Sequence, residues 1–60
     1  MTLRQLLDFL NYLSYDGDVW VDNLDRGECC LWEGQEDSNS LYVEDIRARD
    51  WNVLIITVTE

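Results

Sequence analysis

Residues 53–59 read VLIITVT, a run so dense in β-branched side chains that it predicts a strand. Side chains alternate along a strand, so Leu54, Ile56 and Val58 form one apolar row and Val53, Ile55 and Thr57 another. An N-terminal helix can cover the first row, but a single helix leaves the second without cover. A central place in a sheet, a second copy of the chain or a binding partner would each explain it. The chain has 60 residues, enough for one domain, 1–60, that buries about 60% of the surface its unfolded form exposes.

The helix is legible at the other end of the chain. Thr2 and Gln5 have the spacing of a capping box, which starts a helix at Leu3. Leu3, Leu6, Leu7, Leu10 and Leu13 recur at three- and four-residue intervals as one apolar stripe, which Phe9 and Tyr12 widen, while Arg4, Asp8 and Asn11 fall opposite. Tyr15, Asp16 and Gly17 end it, with Gly17 supplying a left-handed conformation. Residues 18–23 then alternate: Val19 and Val21 on one side, Asp18, Trp20 and Asp22 on the other. Which of the two sides faces the core stays open, since a one-residue change of register exchanges them.

A turn over residues 24–27 leads to a second strand at 28–33 and so to an antiparallel hairpin, in which Trp20 and Trp32 are expected on related faces. Residues 34–40 read as a loop, with Ser40 placed to cap a short helical turn over 41–45. Residues 44–50 suit either helix or strand, and the alternation of Ile46, Arg47, Ala48 and Arg49 favours strand. Asp50, Trp51 and Asn52 form a tight turn into the last strand. The expected fold class is α+β: one N-terminal helix packed on an antiparallel sheet of three to four strands.

Charge is the second constraint. Thirteen Asp and Glu stand against four Arg, with no Lys and no His, for a net charge of −9. Self-repulsion of that size opposes compaction, yet 47% apolar residues, three Trp, three Tyr and one Phe are the composition of a folding chain. Such a surface repels nucleic acid and anionic membranes and attracts basic protein surfaces. No apolar run reaches the roughly 18 residues of a membrane span, and the N-terminus lacks the basic start of a signal peptide, so a cytoplasmic protein is expected.

Catalytic chemistry finds little to work with. Without His or Lys the usual general base and activated amine are missing, and so small a chain leaves little room for a cleft that would tune a carboxylate. No enzyme activity, cofactor or metal is expected. Asp16, Asp18 and Asp22 lack the ligand order of a calcium loop, and Cys29 and Cys30 are too few, and wrongly spaced, for zinc. Those two thiols, adjacent on a strand, point to opposite faces, are poorly placed to bridge, and are expected reduced, one in the core.

The constellation that points to binding is Asp18, Trp20 and Asp22 on one strand face, joined by Asp16, Asp25 and Glu28 around the hairpin ends. A second acidic cluster, Glu33, Glu36, Asp37, Glu44 and Asp45, follows in the loop and short helical turn, and Glu33, Glu36 and Asp37 of it are counted with the candidate partner-binding residues. Trp is a preferred interface anchor, and carboxylates around it can pair with Arg or Lys of a basic partner. Arg47 and Arg49 are expected to tie down neighbouring carboxylates.

In its size, its acidity without Lys, and its TLRQLLDFL helix followed by DVWVDN and ECCLWEG, the chain resembles the small acidic proteins of phages and mobile elements, anti-CRISPR proteins among them. Several of those present carboxylates in place of DNA phosphates and occupy the basic groove of a CRISPR surveillance complex. The resemblance implies a DNA-mimicking inhibitor whose partner is the basic surface of a nucleic-acid-binding complex in the host cytoplasm, as monomer or homodimer, with no direct nucleic-acid or membrane binding. The alternative is a structural or regulatory phage accessory protein, possible as a homodimer through Val53 and Ile55, whose acidity serves solubility.

Overall fold

A computed structural model describes residues 1–34 and 36–60. It contains one helix, α1 (Leu3–Tyr12), and four strands: β1 (Asp18–Asn23), β2 (Glu28–Leu31), β3 (Tyr42–Asp50) and β4 (Val53–Thr59). The strands form one sheet in the order β2-β1-β4-β3. The fold is α+β, as the sequence predicts, but the sheet is mixed: β1–β2 and β3–β4 are antiparallel hairpins, while β1 and β4 pair in parallel at the centre. The chain crosses from β2 at one edge to β3 at the other, and the second hairpin then returns β4 beside β1 running the same way. This puts the doubly apolar strand in the interior of the sheet, where neighbours on both sides satisfy its backbone.

The capping box at the start of α1 is formed, with the Thr2 amide donating to Gln5 Oε1 at 2.9 Å and the Gln5 amide to Thr2 Oγ1 at 3.2 Å. Leu3 and Leu6 are buried together with Val21, Leu41, Ile56 and Val58, and Leu7, Leu10, Val19, Trp32 and Val43 pack around them. Phe9, Tyr12 and Leu13 do not join this stripe and are exposed. The helix is only ten residues long, and the sheet beneath it is filled by the residues on its inner side.

The end of the helix differs from expectation in its chemistry. Ser14, at φ 58°, takes the left-handed conformation. Gly17 is needed for a different reason: a Cβ there would collide with the Asn52 carbonyl oxygen and the Tyr15 ring. That carbonyl also accepts from the Tyr15 hydroxyl at 2.8 Å and the Asp18 amide at 2.9 Å. The entrance to β1 is thereby fastened to the β3–β4 turn.

Residues 41–45 form no helical turn. Leu41 is buried and β3 begins at Tyr42, because the N-terminus adds its own bonds along this edge: the Leu3 amide donates to the Leu41 carbonyl at 2.7 Å and the Val43 amide to the Met1 carbonyl at 2.9 Å. The turn ahead of it is closed instead by Asp37, whose carboxylate accepts from the Asn39 amide and the Ser40 hydroxyl, both at 3.0 Å. Residues 44–50 are strand, interrupted by irregularities at Val43/Asp45 and Ala48/Asp50. Such bulges discourage edge-to-edge pairing on an outer strand.

Candidate functional site

Register decides which side of β1 is which. Val19, Val21 and Asn23 lie opposite Leu54, Ile56 and Val58, the row beneath the helix, so Asp18, Trp20 and Asp22 occupy the other face. Trp32 donates its amide to the Val19 carbonyl at 2.8 Å and packs against the core. It therefore lies across the sheet from Trp20, and the expectation of related faces is corrected: the pairing of Trp20 with Leu31 leaves the next residue, Trp32, on the opposite side.

On the face away from the helix, three rows cross the sheet. Leu31, Trp20, Ile55 and Arg47 align in the middle, Cys29, Asp22, Thr57 and Asp45 on one side, and Asp18, Val53 and Asp50 on the other. A row of three apolar residues ending in Arg47 is thus framed by two rows carrying carboxylates, with Asp18 and Asp22 about 13 Å apart along β1 at four residue steps. Among the described residues no other element covers this face. Trp20 is half-buried, and the Arg49 guanidinium stacks over it, 5.5 Å from the ring centroid. At an exposed site such a contact contributes about 0.5–1 kcal/mol.

The four Arg side chains all have partners. Arg4 pairs with Asp8 at 3.7 Å, Arg26 with Glu36 at 2.6 Å and Glu60 at 3.2 Å, and Arg47 with Asp45 at 3.6 Å. Arg47 thus ties down a carboxylate as expected, whereas Arg49 stacks on Trp20. Of the carboxylates proposed from sequence, Glu36 is held by Arg26, Asp25 accepts from the Glu60 amide, and Asp37 closes its turn. The Asn39 amide, and then the Ser40 hydroxyl, hold the Asp37 carboxyl below its usual range. Glu33 is exposed in the loop and engaged in its own interaction.

Glu28 begins β2 opposite Asn23, on the helix side, where it lines a shallow depression with Val21, Asn23, Cys30, Trp32 and Glu36. It is therefore separated from Trp20 by the sheet. Among the described residues, Asp16, Asp18, Asp22 and Glu28 accept no side-chain hydrogen bond and pair with no cation. Three of these four run along the segment that carries Trp20. Asp18 and Asp16 are also felt by Tyr15, whose hydroxyl is raised above its usual pKa first by desolvation and then by these two charges.

Both cysteines are exposed and neither is in a disulfide, so the expected core thiol is not found: β2 is a four-residue edge strand and buries neither. Among the described residues no cluster of His, Cys, Asp or Glu is arranged to hold a metal ion, and no helix is long and apolar enough to cross a membrane.

Sequence reasoning missed the most exposed aromatic residue. Trp51, at 90% exposure, sits in the two-residue connection between β3 and β4. The signal was present, since a two-residue hairpin turn has no inner side on which to bury an indole. Comparison with protein families, with curated proteins and with solved structures finds no match to this chain.

Proposed function

We propose that this protein is a binding inhibitor that occupies the basic nucleic-acid-binding surface of another protein complex in the cytoplasm and keeps nucleic acid from it, in the manner of the DNA-mimicking anti-CRISPR proteins it resembles. The observation that carries this reading is the uncovered sheet face, where Trp20 lies between Asp18 and Asp22, two carboxylates without a side-chain partner among the described residues. Three other candidate carboxylates, Asp25, Glu36 and Asp37, have structural duties and contribute only to the overall field.

The test is competition. Complexes captured on the immobilised protein from cells carrying nucleic-acid-directed defence systems are expected to lose duplex DNA binding as this protein is added, with an affinity that falls steeply as salt rises. Simultaneous binding of DNA and this protein at unchanged affinities would sink the proposal. A second reading has one observation in its favour: Val53 and Ile55 are half-buried on the same uncovered face, which a second copy could cover. Sedimentation at micromolar concentration decides it, because a monomer throughout removes the homodimer.

A further inference from the structure

At one end of the molecule, where α1 stops and the β3–β4 turn begins, four features meet. Trp51 is 90% exposed and Tyr12 82%, and Leu13 beside it is exposed as well. Tyr15, two residues beyond Leu13, fastens the helix end to the turn through its bond to the Asn52 carbonyl, so the segments that carry these side chains are tied together. The same segments carry Asp16 and Asp18, whose carboxylates have no partner among the described residues, and Asp50, whose carboxylate accepts from the Trp51 amide at 2.8 Å. The nearest cation in sequence, Arg49, is directed to Trp20.

We infer that this end is the anchoring part of the binding surface, and that it takes a segment of the partner in which apolar side chains alternate with Lys or Arg. The inference rests on the proposed function and specifies the partner's chemistry. A phosphate-lined or anionic lipid surface is repelled by the carboxylates around Trp51, and a second copy of the chain would bring the same carboxylates to the contact. A purely cationic strand would satisfy the acids and leave Trp51, Tyr12 and Leu13 in water. A basic segment with apolar side chains satisfies both, and Trp and Tyr are among the residues most enriched in interface hot spots.

The test uses two peptides of about 14 residues, one in which Leu and Lys alternate and one with every Leu replaced by Ser at equal charge. In low salt the Leu/Lys peptide is expected to bind at least about tenfold more tightly than the Ser/Lys peptide. Trp51→Ala is expected to remove that advantage while the circular dichroism spectrum stays unchanged, since the side chain is exposed. Leu24→Ala, an exposed leucine in the β1–β2 turn at the far end, is expected to leave it intact. Equal binding of the two peptides, or an unaltered preference in Trp51→Ala, overturns the inference and leaves the proposed function standing. Absence of binding by either peptide in low salt overturns both.

Discussion

The two faces of the sheet are built from the same four strands and solve different problems. On the helix side, Val21, Ile56 and Val58 are buried against Leu3, Leu6 and Leu41, and the polar Asn23 accepts at Oδ1 from the Asp25 and Arg26 amides at 3.0 and 3.2 Å. On the other side, Trp20, Val53 and Ile55 are only half-buried, and their immediate neighbours are Asp18, Asp22 and Arg47. Burial of apolar area stabilises the first face. The second keeps partly wet apolar groups beside carboxylates that have no side-chain partner among the described residues, a composition that contributes less to folding and that the proposed function assigns to recognition.

Substitution on the two faces should separate these roles. Ile56→Ala, beneath the helix, is expected to cost about 2–5 kcal/mol, much of what a domain of this size has, since stability runs at roughly 0.05–0.15 kcal/mol per residue. Urea denaturation should show the protein largely unfolded or close to it. Ile55→Ala, one residue away on the open face, is expected to cost clearly less, and equal losses would erase the distinction between the faces.

The corner that joins the faces comes next in size. Gly17→Ala places a methyl group against the Asn52 carbonyl and the Tyr15 ring, an overpacking expected to cost about 1–3 kcal/mol. Thermal melts of this variant and the parent measure it. Tyr15→Phe removes the hydroxyl that holds the same carbonyl and is expected to cost about 1 kcal/mol near neutral pH. Its effect carries a pH signature. Because the hydroxyl is raised above its ordinary pKa in the folded state, its contribution is fully present below about pH 10 and is lost as the pH rises from there through the folded-state value. Denaturation against pH should therefore show an alkaline decline in the parent that is reduced in Tyr15→Phe.

The smallest expected effect is a gain. Ser14 adopts a left-handed conformation that glycine takes without steric cost, so Ser14→Gly should stabilise by less than about 1 kcal/mol after the added freedom of the unfolded chain is counted. A loss in the same melts would mean that the helix end is held by the serine side chain.

Local signals carried much of the fold. Capping residues, leucine spacing and β-branched runs act within a few positions, and they located the start of α1, both strands of each hairpin and the buried row Ile56 and Val58. What they left open is set by contacts distant in sequence. The parallel pairing of β1 with β4 depends on the route of the chain between edges, and the strand at Tyr42 and Val43 depends on bonds from Met1 and Leu3 that no local window contains. Phe9 and Tyr12 fit the helical period but fall outside what a ten-residue helix can bury.

The site was legible to a similar extent. Alternation grouped Asp18, Trp20 and Asp22, and only register placed them on the uncovered face and Glu28 on the other. Asp25, Glu36 and Asp37 are indistinguishable in sequence from the unpaired carboxylates. Their partners, the Glu60 amide, Arg26 and the Asn39 amide, are brought to them by folding.

The measurement that most directly tests the role of the open face compares two charge-matched double variants on one captured target. Asp18→Asn with Asp22→Asn removes two unpaired carboxylates beside Trp20 and should leave stability unchanged or slightly raised through reduced repulsion. Asp8→Asn with Glu44→Gln removes equal charge elsewhere, and the Gln amide oxygen can still accept the Thr59 hydroxyl bond that Glu44 accepts at 3.1 Å. The first pair is expected to weaken binding by about 2 kcal/mol or more, mainly through faster dissociation, and the second to alter mainly the association rate. Equal losses in the two variants would contradict a site centred on Trp20 and reduce the interaction to the attraction of net charge.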